Sequence, residues 1–283
     1  MSNLRIICWD VEHGNAAYIK TPADKHIALD IGSSASFSPL KSLRDDFNLE
    51  FLNEVIITHP HSDHMSDIFE FDLMFPKVLN RSKHLTEEDI RNANRAEESN
   101  IVNKYLEIHG RYNQPIKKED NPELPENNGG VYVRTFVDKS SSTSNINNHC
   151  TVVVIEYLNV KTLFPGDIEA PAWEALLQQE NFVEAIAGVD ILVASHHGRE
   201  SGYYTDLFDH FTPKLTIISD GRFNDTSATS RYTDKSSGWK VNHRDESNES
   251  ETRYCISTRN DGHIDIEVGE SQNNSTYLTV TID

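Results

Sequence analysis

The 283-residue sequence predicts a protein of the α/β (α+β) class, in which two β-sheets pack face to face and helices cover their outer surfaces. Short apolar runs of β type occur in both halves of the chain, and helical segments follow them in each half. A repeat of fixed period would favour a solenoid or a propeller, and we find none in the sequence. Since a sheet must bury its apolar face, the two groups of strands are expected to share one core.

The first half begins with strands. Three runs separated by turn residues predict a meander, namely "LRIICWDV", "AAYIKT" and "HIALDIG". The run "FLNEVIITH" predicts a further strand, which ends directly at a group of histidines.

Helices are predicted after this group. The segment "MSDIFEFDLMF" predicts a helix, and "TEEDIRNANRAEESNIVNKYLEIHG" predicts a longer one with Thr86 as its N-cap and Gly110 near its end. Residues 115–130 are rich in Pro, Asn and acidic residues, which is typical of a loop.

The second half repeats the alternation of strands and helices. In chain order it predicts a hairpin turning at Asn159, helical segments, a buried strand, a short helix, another strand and a closing hairpin. The corresponding runs are "CTVVVIEYL" with "VKTLFPGD", then "APAWEALLQQENFVEAIAG", "VDILVASHHG", "YYTDLFDHF", "PKLTIISDG" and "YCISTRNDGHIDIEV". Residues 221–252 are polar and predict loops.

The stretch "VIITHPHSDHM", residues 55–65, carries an unusual density of metal-ligand side chains. His59 and His61 are two positions apart, so in an extended loop both can face one cation. Asp63 and His64 follow at once and are placed to serve a second cation. Imidazole with carboxylate is the ligand set of zinc and related first-row metals, and a cation removes the repulsion between clustered imidazoles. We favour this interpretation over a polar loop that is rich in histidine by chance.

Further ligands are expected from the ends of other strands. Asp167 follows an apolar run in "FPGD", ready to bridge two metals, and His196 and His197 follow another in "VASHHG". Adjacent residues of an extended chain point to opposite sides, so we expect one histidine of this pair to be a ligand. His149 precedes "CTVVVIEY" and is either a further ligand or a solvated loop histidine.

Composition restricts the classes of partner. A net charge of −19 argues against a protein that binds long polyanions nonspecifically, although bound cations would add positive charge locally. The N-terminal segment lacks a signal-peptide pattern, and no apolar run is long enough for a membrane span. The widely spaced Cys8, Cys150 and Cys255 indicate reduced thiols, so we expect a cytoplasmic protein that does not associate with membranes.

These motifs together resemble the metallo-β-lactamase superfamily, and most closely the soluble β-lactamase-like domain of ComEC-type DNA-uptake proteins. The matches extend from about residue 5 to 268, and the metal loop is the most specific of them. In chain order the similar segments are "WDVEHGNAAYI" to "DVGQGDA", "THPHSDH" to the metal loop, "LFPGDIE" to "LLTGD", "VASHHG" to "PHHGS", and "RNDGHIDI" to the closing strand pair.

The resemblance implies a single domain over residues 1–283, an αββα sandwich with a dinuclear metal site in the cleft between its sheets. It implies that one metal is held by His59 and His61, with His149 as a possible third ligand, and the other by Asp63, His64 and one histidine of the 196–197 pair, with Asp167 bridging. We assign the ligand role to His196 and a catalytic, proton-donating role to His197, although the sequence leaves this choice open. Asp63 is expected to be catalytic as well as a ligand.

The sequence also departs from the family pattern. His13 and Asn15 replace Gln and Asp of the opening motif, and Arg199 stands where Ser is usual. The ComEC membrane channel has no counterpart here, so DNA uptake itself does not transfer. Residues of about 80–125, helical over roughly 80–112, have the character of an insertion.

The reaction implied is hydrolysis by a dinuclear metal-bound hydroxide, with two divalent ions, Zn²⁺ preferred and Mn²⁺ as its competitor. We predict a phosphodiesterase or nuclease acting on nucleic acid or nucleotides. The alternatives are a hydrolase of phosphocholine esters, lactones or thioesters, and a non-enzymatic effector or scaffold module with a protein partner, which the 80–125 insertion would contact. The sequence does not indicate an oligomeric state.

Other residues are assigned supporting roles. Arg199 is a predicted phosphate contact. Lys83, Arg91 and Arg95 either line a groove or, as we prefer, lie on a solvated helix face. Asp10 and Asp30 follow the first strands, where they either anchor ligating histidines or, in the interpretation that we favour, are turn residues.

Overall fold

The computed structural model describes residues 3–220, 227–244 and 250–283. Its strands are Leu4–Cys8 (β1), Ala16–Lys20 (β2), His26–Ile31 (β3), Glu54–Ile56 (β4), Val78–Asn80 (β5), Tyr132–Phe136 (β6), Val152–Tyr157 (β7), Val160–Phe164 (β8), Ile191–Val193 (β9), Leu215–Ile218 (β10), Trp239–His243 (β11), Ser250–Arg253 (β12), Cys255–Ser257 (β13), Ile264–Glu270 (β14) and Thr276–Ile282 (β15). The helices are Pro39–Asp45 (α1), Glu87–Ala93 (α2), Ser99–Arg111 (α3), Ala170–Leu177 (α4), Glu180–Ile186 (α5), Thr229–Lys235 (α6) and Thr258–Asp261 (α7).

Within these described ranges the strands form two mixed sheets. The first has the order β12-β11-β15-β14-β1-β2-β3-β4-β5, and the second has the order β13-β10-β9-β8-β7-β6. The meander predicted for the first three strands is confirmed, since β1 pairs antiparallel with β2 and β2 with β3. The strands β3, β4 and β5 then run parallel, so their carboxyl ends meet at one edge of the sheet.

Three apolar layers confirm the predicted sandwich. The central layer holds residues of both sheets, such as Ile19 and Leu29 of the first with Val153 and Phe164 of the second. A second layer lies between the outer face of the first sheet and α1, α2 and α3. A third lies between the second sheet and α4 and α5. The order of layers is therefore helix, sheet, sheet, helix.

The segment interpreted as an insertion contributes to the outer layer of helices. Ile90 of α2 and Tyr105 of α3 are buried in the same apolar cluster as Leu40 of α1. No helix in the described ranges combines the length and apolar composition needed to cross a bilayer.

Several predicted helices were wrong in detail. The 65–75 segment forms turns and a single 3-10 turn, Phe71–Met74, and not an α-helix. Its buried apolar residues recur at every third position, which is the period of 3-10 turns: Met65, Ile68, Phe71 and Met74. The longer helix is broken into α2 and α3 by an extended residue, Asn94. Its predicted N-cap is confirmed, because the Thr86 side chain accepts a hydrogen bond from Asp89 N and the Asp89 carboxylate accepts one from Thr86 N.

The C-terminal region also differs from the prediction. The predicted closing hairpin is wrong, because β13 pairs parallel with β10 in the second sheet, whereas β14 pairs with β1 and β15 in the first. The polar stretch 221–252 contains α6, β11 and part of β12 as well as loops. Its residues 221–226 and 245–249 lie outside the described ranges.

One buried acidic side chain lies at the opposite end of the first sheet from the edge where the C-terminal ends of β3, β4 and β5 meet. Glu54 begins β4 and is 1% exposed. Its burial raises the pKa to about 8, against the opposing effect of the Asn80 side chain. The folded protein therefore holds Glu54 protonated at a pH where the unfolded chain ionises it.

We predict that Glu54→Gln changes the pH dependence of stability. The raised folded pKa contributes stability that is present below about pH 4.5 and is lost as the pH rises through about 8. The free energy of unfolding of the variant should thus exceed that of the wild type increasingly over this range, by up to roughly 4 kcal/mol. Urea unfolding at several pH values measures it, with the exposed Glu50→Gln as control. Parallel pH profiles for wild type and Glu54→Gln would contradict the prediction.

Candidate metal centre

The predicted metal loop begins at the carboxyl end of β4. Thr58 and His59 follow that strand, His61 precedes a single 3-10 turn, Ser62–His64, and the turn carries Asp63 and His64. The side chain of Asn94, at the break between α2 and α3, holds this loop from outside: its Oδ1 accepts from Ser62 N (3.0 Å) and its Nδ2 donates to the carbonyl of Pro60 (2.8 Å). A residue of the predicted insertion therefore fixes the loop's conformation.

Two glycines allow another segment to approach the loop closely. A Cβ on Gly14 would lie 2.3 Å from the carbonyl oxygen of Asp63, and one on Gly32 would lie 2.4 Å from the same atom. Gly14 also has a φ of 135°, which other residues rarely adopt. The turn after β1 and the end of β3 are thus packed directly on the backbone that carries Asp63.

Asp30 anchors the metal loop, and the interpretation of it as a turn residue was wrong. It is the extra residue of a β-bulge between β2 and β3, with a φ of 53°, and it is fully buried. The bulge directs its carboxylate at the loop. There it accepts hydrogen bonds from Thr58 N (2.7 Å), Thr58 Oγ1 (2.8 Å) and Asn15 Nδ2 (3.0 Å), and it lies 2.7 Å from His64 Nδ1. Asp10, by contrast, caps its own turn by accepting from Glu12 N, as predicted.

One group of ligand atoms comprises His59, His64 and Asp167, all buried. Asp167 follows β8 of the second sheet, whereas the two histidines belong to the metal loop of the first. His64 Nε2 lies 3.3 Å from Asp167 Oδ1, and His59 Nε2 lies 4.0 Å from Asp167 Oδ2. The group therefore spans the two sheets.

A second group comprises His13, Asp63 and His197. Asp63 Oδ2 lies 3.3 Å from His13 Nε2 and 3.5 Å from His197 Nε2. His197 Nε2 is also 3.4 Å from Asp167 Oδ2, so Asp167 contacts a histidine of each group. This position, between the two groups, is the one expected of a bridging carboxylate.

The other two predicted ligands, His61 and His149, have different neighbours. His61 Nδ1 is 2.8 Å from His59 Nε2, which places the imidazole next to the first group. His149 is fully buried, and its Nδ1 lies 3.0 Å from both the carbonyl of Asp138 and His84 Nε2. The imidazole of His61 therefore contacts that of His59, and the imidazole of His149 contacts that of His84, which was not among the predicted ligands.

The structure separates His196 from His197 in a way that favours the reverse of our assignment. His197 is 3% exposed and faces both Asp63 and Asp167, as a ligand would. His196 turns aside: its Nδ1 lies 3.1 Å from Glu169 Oε1 and 2.9 Å from Ser201 Oγ, and its Nε2 lies 3.9 Å from Asp167 Oδ2. Both residues have left-handed backbone, with φ of 52° and 55°, so the chain is not extended here and does not alternate.

The predicted basic residues lie in different places. Arg199 Nη1 lies 3.0 Å from His196 Nε2, beside the candidate centre. Arg91 donates to Glu87 and Asn103, and it lies with Arg95 on an exposed face, as we preferred. Lys83 is exposed on a different surface, one residue before His84.

The electrostatics of the centre call for positive charge between the carboxylates. Burial would raise the pKa of Asp167, but the neighbouring His197 and His64 outweigh it and hold the pKa well below its usual value. Burial likewise lowers the pKa of His197, but Asp167 and Asp63 raise it to about 10. A divalent cation would supply this charge and leave the imidazoles neutral.

Buried nitrogen atoms provide a second test of whether metal ions fit. The Nε2 atom of His149 is buried and makes no hydrogen bond within the described residues, and those of His64 and His197 are buried with only carboxylate oxygens beside them, 3.3 to 3.5 Å away. A buried nitrogen without a hydrogen bond is costly, whereas a neutral imidazole nitrogen is a strong ligand for first-row metals. At His64 the opposite nitrogen, Nδ1, faces Asp30, which is the usual way in which a ligating histidine is oriented. The donor set therefore fits a pair of divalent ions.

Sequence reasoning missed His13, Asp30 and His84. His13 occupies the place of a Gln in the opening motif, so it was treated only as a departure. Asp30 looked like a strand end because a bulge has no clear pattern in sequence. His84 contacts His149 across 65 residues of chain, and it lies between two predicted helices where no predicted element or motif marked it.

Comparison with known proteins identifies a family that the chain matches. Residues 9–179, more than half of the chain, match the family model described as the Metallo-beta-lactamase superfamily. No curated protein matches the chain.

Solved structures are similar at low identity. A protein of Parabacteroides distasonis ATCC 8503, described as a metal-dependent hydrolase, is 12% identical with a TM-score of 0.43, over 82% of this chain and 88% of that one. CmlA, a diiron β-hydroxylase from Streptomyces venezuelae, is 16% identical with a TM-score of 0.44, over 77% of this chain and 44% of that one. A long form RNase Z from yeast is 13% identical with a TM-score of 0.38, over 79% and 38%. At these values the likeness bears on neither substrate nor reaction.

We predict that Asp30→Asn weakens zinc binding by about 10- to 100-fold, because the bond that orients His64 is altered while the side chain keeps its size. Competition with a chromophoric chelator measures the affinity. Asp10→Asn, which changes only a turn, should bind zinc as the wild type does. Equal affinities for all three proteins would show that Asp30 has no part in the centre.

We also predict that His197→Asn lowers the zinc content after dialysis by about one ion per chain, whereas His196→Asn keeps the wild-type content. Asparagine tolerates left-handed backbone, so neither change should unfold the segment. Elemental analysis decides between the two, and loss of zinc from His196→Asn alone would restore the assignment made from sequence.

Proposed function

Because the chain belongs to the metallo-beta-lactamase superfamily, we propose that it is a hydrolase that uses two divalent metal ions to cleave phosphodiester bonds in nucleotides or nucleic acid. The observation that carries the proposal is the position of Asp167, whose carboxylate contacts His64 on one side and His197 on the other. A single carboxylate between two imidazole-containing groups suits a two-metal centre better than a single ion.

The candidate ligands divide between two ions. His59, His61 and His64 would hold one ion, and Asp63 and His197 would hold the other, with His13 at the rim and Asp167 shared. Such ions, when bound, lower the pKa of water and neutralise the charge of a phosphate group. The many imidazoles favour Zn²⁺, and Mn²⁺ is the competitor for phosphodiester chemistry.

Asp63 would remain ionised throughout the reaction. Its burial raises the pKa, but His64 and His197 outweigh that effect and hold it far below the usual value of an aspartate. An ionised carboxylate facing the cleft can accept a hydrogen bond from the attacking water and so orient it. This supports the dual role, ligand and positioning group, that the sequence predicted for it.

His196 is the best-placed group for handling the proton of the leaving oxygen. Its Nδ1 faces Glu169 and Ser201, which orients the ring, and its Nε2 faces Arg199 and the cleft. Burial lowers the pKa of His196, so the ring is neutral at neutral pH and its Nε2 accepts from Arg199 Nη1. By exchanging that bond, Nε2 could take a proton from the attacking water and deliver it to the leaving oxygen. The carboxylate of Glu169 would stabilise the ring while it carries both protons.

The polar character of the residues around the centre favours a phosphodiester over a lactone or thioester. Arg199 lies against His196, where its guanidinium can contact a phosphate oxygen that the metal ions do not hold. The other neighbours, Glu169 and Ser201, are also polar. The acidic chain as a whole favours short single strands or nucleotides, because a long duplex would be repelled.

We predict that Asp167→Ala lowers phosphodiester cleavage by at least about 100-fold, because both groups of ligands lose the carboxylate that they share. Bis-(p-nitrophenyl) phosphate and labelled single- and double-stranded DNA and RNA would be tested with added zinc or manganese. Asp209→Ala, which changes an exposed aspartate between β9 and β10, is the control. A zinc-loaded wild type that is inert on every phosphodiester would overturn the proposal and favour another ester class.

A further inference from the structure

A pocket lined with basic residues lies beside β5, the edge strand of the first sheet. Its volume is about 210 Å³, and it is enclosed by the start of β5 and by the end of α3 with the segment that follows it. Four cationic side chains line it, those of Lys77, Lys83, Arg111 and Lys117, with one carboxylate, that of Asp120. Such a concentration of positive charge is unexpected in a chain of net charge −19.

Part of this charge is not neutralised by the protein. Lys77 pairs with Asp120 at 3.4 Å, and Arg111 pairs with Asp72 at 2.6 Å. Lys83 and Lys117 are exposed, and neither forms an ion pair with any residue of the described ranges. Both are therefore available to an anion from solution.

A buried arginine adds a further positive charge behind the pocket. Arg81 is 7% exposed, and it donates to the carbonyl oxygens of Leu79, His109 and Tyr112 rather than to a carboxylate. A guanidinium bound to carbonyl groups keeps its whole charge, which raises the electrostatic potential nearby. Because it is held by the backbone, this charge is fixed in position.

One short segment separates the pocket from His149, which the sequence predicted as a possible metal ligand. Lys83 faces the pocket, whereas its neighbours turn the other way: Ser82 Oγ donates to the carbonyl of His149, and His84 Nε2 lies 3.0 Å from His149 Nδ1. Residues 82–84 thus form a wall with the pocket on one side and the buried His149 on the other.

The pocket also offers apolar surface next to its charges. Ile116 is 51% exposed, and it lines the pocket together with the half-buried Tyr112. Cations that follow a phosphate backbone, with apolar or aromatic surface for the bases, are the usual elements of a surface that binds single strands without sequence preference.

We propose that this pocket binds the phosphate backbone of a single-stranded nucleic acid whose scissile bond lies in the metal centre. The inference rests on the proposed function, because it takes the substrate to be a phosphodiester. It narrows that function to strands longer than a nucleotide. The small volume and the acidic remainder of the molecule favour a single strand over a duplex.

Binding of a fluorescein-labelled single-stranded oligonucleotide, measured by anisotropy with excess chelator, tests the inference without any turnover. The double variant Lys83→Glu with Lys117→Glu is compared with Lys41→Glu with Lys240→Glu, which makes the same charge change on exposed lysines elsewhere. We expect the pocket variant to bind at least about tenfold more weakly than the wild type, and the control to bind within about twofold of it. The plot of the logarithm of the binding constant against the logarithm of the salt concentration has a negative slope. Its magnitude should decrease by about 1.4 in the pocket variant alone, as for two lost phosphate contacts.

If both double variants bound the oligonucleotide equally weakly, the inference would be overturned, because the change in net charge alone would then explain the lower affinity. Wild-type protein that binds no oligonucleotide at low salt would overturn it as well, as would preferential binding of polyglutamate. Circular dichroism shows whether the variants are folded, and the single variants replace the double one if it is not. The hydrolase proposal is judged separately, by cleavage of bis-(p-nitrophenyl) phosphate, so the two can fail independently.

Discussion

The arrangement of the candidate centre depends on a single buried carboxylate, that of Asp30. A bulge in β3 turns it out of the regular strand, and it then accepts bonds from the main chain and side chain of Thr58 and from Asn15 while facing His64. These contacts fix the start of the metal loop and the ring of one ligand at the same time. A buried charge of this kind is stable only while its partners remain in place, so the bulge and the loop constrain each other.

The second constraint is that the ligands come from both sheets. The metal loop belongs to the first sheet, whereas Asp167 and His197 follow strands of the second. The main chain also joins the sheets here, since Thr151 N donates to the carbonyl of Thr58 at 2.7 Å. The central apolar layer sets the distance between the sheets, and it thereby sets the distance between the two groups of ligands. The site is thus a product of packing as much as of local sequence.

Much of the fold could be predicted because apolar periodicity marks strands whatever their partners are. Pairing is less accessible: β13 was predicted as half of a hairpin, yet it lies in the other sheet from β14, and nothing local to the chain records that. The same distinction applies to the site. The metal loop is dense in ligands and is visible in sequence, whereas His84 and Asp30 act through distant contacts and through a bulge. The contacts that favour His197 over His196 as the ligand depend on φ angles that no alternation rule anticipates.

The consecutive left-handed residues His196 and His197 also bear on how such a protein could be stabilised. Non-glycine residues in this conformation each cost about 1 to 3 kcal/mol, and here both side chains lie at the candidate centre. An effort to raise the melting temperature by replacing strained residues with glycine would rank these two positions highly and would remove the groups on which activity is proposed to depend. Natural selection faces the same conflict, in which thermal robustness and function compete for one pair of positions.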